Sequence, residues 1–283
     1  MFLILKKMIG FVRYYVKLKT NRNIIPLCYF DGVPNVGDEL NIELITKITG
    51  RQPMKPPSIK YFQHLCAVGS VLSSMNKKSI VWGSGLISED AINEVSELGD
   101  IRAVRGFLTK EKIENRFGIK LQVPLGDPAL LMPYYIKPSS VQKKYKFGLV
   151  LHYVDSNHPI KILAKKMGAN IIDVSLSIQD FVDEISKCEK VLSSSMHGLI
   201  LSDTYCIPNQ RIVLGDNIIG GDFKFLDYYS TTSQPDNRPI VLSKDVSQEE
   251  LLLALSTASL KKTILNLDEL LEAFPLDKFN RVI

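Results

Sequence analysis

The sequence predicts an α/β protein built of two Rossmann-like domains that face each other across a cleft. Short apolar runs alternate with segments of helical spacing along most of the 283 residues, a pattern typical of parallel sheets covered by helices. Prolines, serines and lysines break this alternation in residues 134–145. We interpret this break as a linker and divide the chain into residues 1–138 and 139–283. Each half has the length of an ordinary domain of about 100 to 150 residues.

Strands in the first half are predicted from short apolar runs, and helices from apolar residues that recur every three or four positions. Leu40, Leu44 and Ile48 give such a helix between Asp38 and Gly50, because glycine commonly follows a helix end. The proline-rich residues 53–58 predict a loop. The predicted strands are residues 24–30, 63–68, 79–82, 101–104 and 121–125, and another helix covers residues 107–117.

The second half repeats this alternation and ends in helices. The predicted strands are residues 147–151, 170–174, 190–192 and 210–214. The predicted helices are residues 159–167, 178–188, 223–229, 246–256 and 260–274, and one more follows Gly198. We expect the last helices to pack back on the first domain.

Composition and charge narrow the function classes. The chain is 45% hydrophobic and 23% charged, which is typical of a globular protein with an apolar core. Its net charge of +5 is too small to indicate nucleic-acid binding, which requires a dense basic face. Cys28, Cys66, Cys188 and Cys206 include no CxxC pair and lie in or beside apolar runs. They predict buried free thiols in a reducing compartment rather than disulfides or zinc ligands, and we expect no metal site.

The first 19 residues are apolar with interspersed lysines and arginine. The charges are too frequent for a membrane span, and the order of residues is not that of a signal peptide. Two interpretations remain open. The segment is a helix that lies on an anionic membrane surface, or a helix that packs on the core of the protein itself.

Residues 191–200 form the motif around which the prediction is organised. An apolar run leads through Ser193, Ser194 and Ser195 to His197, and a helical pattern follows. A helix that starts at the carboxyl end of a strand offers unpaired N–H groups and a favourable dipole to an anion. His197 supplies a side chain that exchanges protons near neutral pH. The alternative is that His197 only caps or packs a turn.

Three further polar residues follow predicted strands. In the turn of residues 31–41, Asp38 either caps the next helix or faces the cleft. Arg105 ends a buried strand, where its guanidinium is placed to bind a phosphate or carboxylate, or to form a salt bridge with a nearby carboxylate. Asp127 either caps a helix that begins at Pro128 or faces the cleft.

Four of these segments occur together in a known family. In order along the chain they are Asn35–Asp38, Val104–Gly106 with Thr109, Leu125–Ala129, and Ser193–Gly198 followed by Pro208–Asn209. Over roughly residues 30–215 the chain therefore resembles the polysaccharide pyruvyl transferase family. One departure concerns Ser195, where some members of that family carry an arginine. If that arginine helps to hold the donor, another cation must replace it here.

The resemblance implies a GT-B-like fold and the transfer of a pyruvyl group from phosphoenolpyruvate to a sugar, giving a cyclic ketal. It implies a lipid-linked glycan acceptor, a cytoplasmic enzyme peripheral to the inner face of the cell membrane, and no cofactor. We expect His197 to bind the donor and act as the acid, and Asp38 or Asp127 to orient the sugar or accept a proton. The candidate substrate-binding residues are Arg105, Asn35, Gly37, Ser193, Ser194, Ser195 and Gly198.

Two other functions remain open. A glycosyltransferase of the same architecture would use a nucleotide sugar, bound near the turn Gly215–Asn217 and Asp222. The second is a non-catalytic scaffold for glycan assembly. Its support is that the chain has Ser195 where some members of the family carry an arginine.

Overall fold

The computed structural model describes residues 2–33, 35–215 and 220–279, and only the backbone of residues 2–7. It contains two parallel sheets of five strands each. The strands of the first sheet are β1 (Ile24–Cys28), β2 (Gln52–Met54), β3 (His64–Cys66), β4 (Ser79–Trp82) and β5 (Asp100–Ala103). Those of the second sheet are β6 (Gly148–Val150), β7 (Asn170–Ile172), β8 (Val191–Ser193), β9 (Asn209–Val213) and β10 (Ile240–Val241).

Helices connect these strands, as parallel pairing requires. In the first half they are α1 (Phe2–Thr20), α2 (Val36–Thr49), α3 (Phe107–Phe117) and α4 (Met132–Tyr135), with short 3₁₀ helices at Leu72–Ser74, Asp90–Glu94 and Pro128–Leu131. In the second half they are α5 (Ile160–Lys166), α6 (Ile178–Ser186), α7 (Met196–Thr204), α8 (Phe223–Tyr229), α9 (Gln248–Thr257), α10 (Leu267–Glu272) and α11 (Leu276–Phe279), with a 3₁₀ helix at Tyr153–Asp155.

The strand order is β2-β1-β3-β4-β5 in the first sheet and β10-β9-β8-β6-β7 in the second. The α/β prediction is thus confirmed, with parallel sheets throughout. The strands that carry the candidate site, β1 and β8, lie inside their sheets with a neighbour on each side. Loops at their carboxyl ends consequently meet loops of the flanking strands.

Some element boundaries predicted from the sequence are wrong. Residues 121–125 form no strand and share only one bridge, between Leu125 and Val104. Residues 260–266 are not helical, because Asn266 caps a helix that begins only at Leu267. Gln52–Met54 is the edge strand β2 although the proline-rich residues 53–58 predict a loop, since an edge strand tolerates a proline such as Pro53. Strand β10 is so short that the sequence gives no pattern for it.

One apolar cluster joins the two halves of the chain. It contains Leu44 of α2, Phe181 of α6 and Leu199 of α7, all buried. The end of the chain contacts the first sheet as well. The indole Nε1 of Trp82 donates a hydrogen bond of 2.7 Å to the carbonyl of Leu270.

Two further observations concern the cysteines and the length of the helices. All four cysteines are free thiols, but Cys206 is exposed, contrary to the sequence prediction. It lies in the turn after α7 with φ 58°, and so leaves the apolar side of that helix. Among the residues that the structure describes, no helix is both long enough and apolar enough to cross a bilayer.

Candidate active site

A cavity of about 670 Å³ lies beyond the carboxyl ends of β1, β3, β6 and β8. Ligands of α/β proteins bind in this position, and the volume suits a small molecule. Both halves of the chain line the cavity. The first half contributes Asn35, Gly37, Asp38, Lys55 and Ser70, and the second contributes His152, Ser195, Met196, His197 and Lys224.

The turn between β8 and α7 places His197 at the cavity. Ser195 is the N-cap of α7, and its Oγ accepts a hydrogen bond of 3.4 Å from the amide of Gly198. Gly198 packs so closely on the sheet that a Cβ there would lie 2.7 Å from Cγ1 of Val150. The amide and the missing side chain of Gly198 therefore serve the fold, while His197 faces the cavity with 14% of its side chain exposed.

A second helix start meets the imidazole from the opposite side. Oδ1 of Asn35 caps α2 by accepting hydrogen bonds from the amides of Gly37, at 3.1 Å, and Asp38, at 3.3 Å. A Cβ on Gly37 would lie only 2.3 Å from Nδ1 of His197. Glycine at this position thus lets the start of α2 approach the imidazole directly. The cap of α2 is Asn35, not Asp38 as the sequence alternative had it.

Asp127 faces the other edge of the imidazole. Its Oδ2 lies 3.8 Å from Nε2 of His197. Its Oδ1 accepts a hydrogen bond of 3.0 Å from the amide of Ala129 and so caps the 3₁₀ helix. Asp127 therefore caps the helix, as one alternative from the sequence had it, and it contacts the cavity only through His197. The carboxylate is fully buried, so its charge acts on His197 with little screening by solvent.

Asp38 is the carboxylate on the cavity side of His197. Burial raises the pKa of Asp38 to about 6. A hydrogen bond of 2.5 Å from Nδ2 of Asn35 and the nearby His197 oppose this rise and lower the pKa in part. A carboxylate whose pKa approaches neutrality is suited to accept a proton during a reaction.

Lys224 is a cavity residue that sequence reasoning missed. It lies in α8, and only 8% of its surface is exposed. Burial, and then the charges of Arg105 and Arg211, lower its pKa to about 8. The sequence places Lys224 only in an aromatic helical patch, and no local signal distinguishes it from other lysines.

His152 is a second cavity residue that the sequence showed only as the end of a strand. Burial, and then the charges of Lys224 and His197, lower its pKa to about 4. His152 is therefore neutral at neutral pH, whereas Lys224 is largely cationic. The lysine is thus a fixed positive charge at the cavity, and His152 adds a neutral polar ring.

Arg105 does not reach the cavity, contrary to the role expected from the sequence. Its side chain is fully buried, and Nε donates a hydrogen bond of 2.8 Å to Oδ2 of Asp227. The other nitrogens donate to Oγ of Ser70, at 2.6 Å, and to the carbonyl of Leu86, at 2.7 Å. The structure therefore contains the salt bridge that was the alternative. Arg105 touches the cavity only through Ser70, whose hydroxyl it holds.

The three consecutive serines at 193–195 also differ in whether their side chains reach the cavity. Oγ of Ser193 bonds within the turn, to the carbonyl of Ser195 at 2.9 Å. Oγ of Ser194 donates to Oδ2 of Asp155 at 2.7 Å and accepts from the amide of His152 at 2.9 Å. Both side chains are fully buried, and neither is among the residues that line the cavity, so their role in substrate binding stays a prediction that this geometry does not support. Of these three serines, Ser195 lines the cavity.

Comparison with known proteins gives a family match and relatives. Residues 50–209 match the model of a family described as polysaccharide pyruvyl transferase. The chain is 27% identical over 222 residues to Uncharacterized protein L143 of Acanthamoeba polyphaga mimivirus, which covers 76% of this chain and 77% of that protein. It is 27% identical over 217 residues to Succinoglycan biosynthesis protein ExoV of Rhizobium meliloti, covering 73% of this chain and 65% of that protein. The family match includes Asp127 and His197 but begins after Asp38.

Proposed function

The chain belongs to the polysaccharide pyruvyl transferase family, and we propose that its cavity binds phosphoenolpyruvate and transfers the pyruvyl group to a sugar as a cyclic ketal. The family, together with the likeness to a succinoglycan biosynthesis protein, supports pyruvyl transfer in polysaccharide biosynthesis. The observation that carries the finer assignment is a cavity lined by His197, Asp38 and Lys224, in which His197 lowers the pKa of Asp38 and lies 3.8 Å from the buried carboxylate of Asp127.

The donor carries a phosphate and a carboxylate and needs positive charge. Lys224 supplies a cation, and the start of α7 presents the positive end of a helix dipole. Lys224 is thereby our candidate for the cation that replaces the arginine absent at Ser195. The hydroxyl of Ser70, held by Arg105, is a further hydrogen-bond donor at the cavity.

The reaction requires three proton movements that these residues can perform. His197 donates a proton to the methylene carbon of phosphoenolpyruvate, which becomes a methyl group and leaves the neighbouring carbon electrophilic. Two sugar hydroxyls bond to that carbon, and the bond to the phosphate oxygen breaks. Of the two hydroxyl protons, one passes through Asp38 and restores the acid, and the other leaves with inorganic phosphate. Asp127 stabilises the imidazolium form of His197 before the transfer.

The two-domain GT-B-like arrangement, divided between residues 138 and 139, is part of the same proposal. Each half contains one five-stranded parallel sheet, and both halves line the cavity. In this arrangement donor and acceptor meet between the domains. Of the final helices, α10 and α11 pack back on the first domain, since the carbonyl of Leu270 accepts the hydrogen bond of Trp82 and Lys278 pairs with Asp100, whereas α9 packs on the second sheet.

A membrane-bound acceptor is supported by the two faces of α1. Tyr14, on one face, is buried and packs on Phe62 with ring centroids 4.9 Å apart. The opposite face exposes large apolar side chains at helical spacing, namely Met8, Ile9, Val12, Tyr15 and Val16. Arg13, Lys17 and Lys19 of the same helix are exposed as well. The packed face agrees with the interpretation of α1 as a core-packing helix, and the exposed face supports membrane contact as a proposal. Met1 lies outside the described residues.

We therefore propose that the outer face of α1 rests on the anionic cytoplasmic surface of the cell membrane. A helix with an apolar face and neighbouring cations binds such a surface without spanning it. The protein would then meet a lipid-linked glycan precursor where that precursor resides.

The nucleotide-sugar alternative has less support. A second cavity of about 540 Å³ follows β9 and β10 and includes Gly215. Asp222, which was expected to serve it, pairs instead with Arg211 at 2.5 Å. Asp216 and Asn217 lie outside the described residues.

Thermal-shift measurements with phosphoenolpyruvate and with UDP-sugars separate the two functions, and we expect only phosphoenolpyruvate to raise the melting temperature.

Mass spectrometry of the reaction tests the proposed function. The protein is incubated with phosphoenolpyruvate and a panel of lipid-linked galactosides, glucosides and mannosides. We expect one acceptor to gain the mass of a pyruvyl group less water, with release of inorganic phosphate. Transfer of a sugar from UDP-sugars instead would favour the glycosyltransferase. An inert wild-type protein across all donors and acceptors would favour the scaffold.

A further inference from the structure

Two cysteines and a histidine that the proposed reaction does not use converge on the first sheet. Cys28 on β1 lies in register with Cys66 on β3. His64 precedes Cys66 by two residues, so both side chains leave the same face of β3. One sulfur or nitrogen atom of each of these three residues lies within 4.8 Å of the other two. Strand pairing, not sequence spacing, creates this cluster.

The histidine is oriented as a metal ligand would be. Its Nδ1 lies 2.9 Å from the carbonyl of Phe62, which can only accept a hydrogen bond, so Nδ1 carries the proton. Nε2 therefore holds a lone pair and accepts from Oγ of Ser79 at 2.9 Å. Ser79 Oγ itself accepts from the amide of Asn76, which fixes the direction of its own proton. A backbone carbonyl on one ring nitrogen commonly orients the other toward a metal.

We propose that Cys28, Cys66 and Nε2 of His64 bind a zinc ion. In tetrahedral zinc sites the ligand atoms lie roughly 3.5 to 3.8 Å apart, because Zn–S bonds are about 2.3 Å long. The three atoms here need to close by only about 1 Å. Ser79 Oγ, next to His64, is an oxygen that can complete the four ligands. Sulfur and imidazole ligands select zinc over magnesium or calcium.

The charge balance of the site favours the same ion. Two thiolates and one divalent cation sum to zero, so the loaded site buries no net charge. His64 and Cys66 are fully buried, and Cys28 is 7% exposed. Cys28 also lines the large cavity, and this opening gives the ion a path from solvent.

The position of the ion suggests what it does. Cys28 is the last residue of β1, and the chain continues from it to the turn that caps α2 with Asn35. An ion between β1 and β3 would fix the end of β1 and, with it, the approach of α2 to the imidazole. The site is structural in this reading and does not depend on the pyruvyl-transfer proposal.

Cobalt and zinc titration of the full chain tests the site. Protein freed of metal under reducing conditions is titrated with Co²⁺, and we expect a thiolate-to-cobalt absorption band that saturates at one equivalent. One equivalent of Zn²⁺ should displace the cobalt and raise the melting temperature, whereas Mg²⁺ should do neither. Cys28→Ser and Cys66→Ser should each lose the band. Cys188→Ser, which removes a buried thiol outside the cluster, should keep it.

The wild-type titration decides the proposal even if a serine variant fails to fold. Absence of the band in wild-type protein, or binding that saturates far from one equivalent, would overturn the proposal. A band that survives in both Cys28→Ser and Cys66→Ser would place the ion elsewhere and overturn it as well.

Discussion

Nε2 of His197 and Oδ2 of Asp127 face each other across 3.8 Å, and neither atom has a hydrogen-bond partner among the described residues. A buried polar atom without a partner is costly in a folded protein. Here the two atoms are complementary, because a protonated imidazole offers a proton and a carboxylate accepts one. A proton on Nε2, together with a closure of the 3.8 Å gap by about 1 Å, would satisfy both groups at once. We regard this pair as the centre of the candidate active site.

Asp127→Asn tests that pair. The amide keeps the shape and the cap on the amide of Ala129 but removes the negative charge opposite His197. We expect kcat for pyruvyl transfer to fall by about 10²-fold or more, the usual contribution of acid–base groups, with KM for the donor little changed. The measurement is steady-state kinetics with release of phosphate. An Asp127→Asn enzyme with wild-type kcat would exclude Asp127 from the mechanism.

The pH dependence of the reaction should report Asp38. Its pKa of about 6 means that the proton-accepting carboxylate form is present above that pH. We therefore expect kcat to rise as the pH increases through about 6, and Asp38→Asn to lose this limb together with most activity. A pH profile of the wild type and the variant provides the check. The prediction fails if Asp38→Asn keeps the limb.

The pH dependence of the melting temperature is an independent test of the raised pKa of Asp38. Because burial raises its pKa, the charged form destabilises the fold, and this effect is complete above about pH 6. The effect disappears below the unfolded value of about 3.9, where the group is protonated in both states. Asp38→Asn should accordingly melt at a higher temperature than wild type at neutral pH, with a difference that shrinks toward acidic pH.

Lys224→Met should weaken donor binding. The lysine is cationic below its pKa of about 8, so affinity for phosphoenolpyruvate should decrease as the pH rises through that value. We expect a rise in KM of about tenfold or more, equivalent to about 1.4 kcal/mol. Lys144→Met, an exposed lysine distant from the cavity lining, is the matched control and should leave KM unchanged. Equal KM values for Lys224→Met and wild type would remove the lysine from the donor site.

Arg105→Ala should act mainly on stability. Truncation leaves Asp227 buried without its cation, which costs about 3 to 5 kcal/mol in comparable cases. Arg102, on β5 three residues earlier, pairs with Asp100 at 2.8 Å but is 33% exposed. Arg102→Ala should therefore cost only about 0 to 1 kcal/mol. Chemical denaturation of both variants measures the difference, and similar losses would contradict the buried role of Arg105.

Vesicle binding tests the outer face of α1. The double variant Val12→Glu and Val16→Glu places charge on the exposed apolar face, so we expect binding to phosphatidylglycerol vesicles to fall about tenfold or more. Val141→Glu alters another exposed valine, with 74% exposure, and serves as the control. Phosphatidylcholine vesicles should bind the wild type weakly. Equal binding of the double variant and the control would refute membrane contact by this face.

The alternating pattern predicted parallel sheets because burial on both faces requires apolar strands and covering helices. The order of the four motifs indicated the family, and local rules gave the helix cap at Asp127 as one of two alternatives. The same local rules gave wrong predictions for two segments. The edge strand β2 contains proline, and residues 260–266 have helical spacing but pair with other segments instead.

Side-chain roles were harder to predict, because burial depends on segments far away in the chain. Arg105 and Lys224 are both cations near predicted element ends, and the sequence favoured Arg105. Asp227, which neutralises Arg105, lies 122 residues later. It belongs to α8, the helix that also carries Lys224 to the cavity.

Patterns among residues close together in the chain were enough to predict the α/β class, the family and the pairing of a histidine motif with a helix start. The tertiary structure alone decided which cation faces the cavity, that Asp127 meets His197, and that Cys28 meets Cys66. These outcomes depend on strand register, which pairs Cys28 with Cys66, and on helix packing. The close approach of Gly37 to the imidazole of His197, for example, decides which side chains can contact that ring.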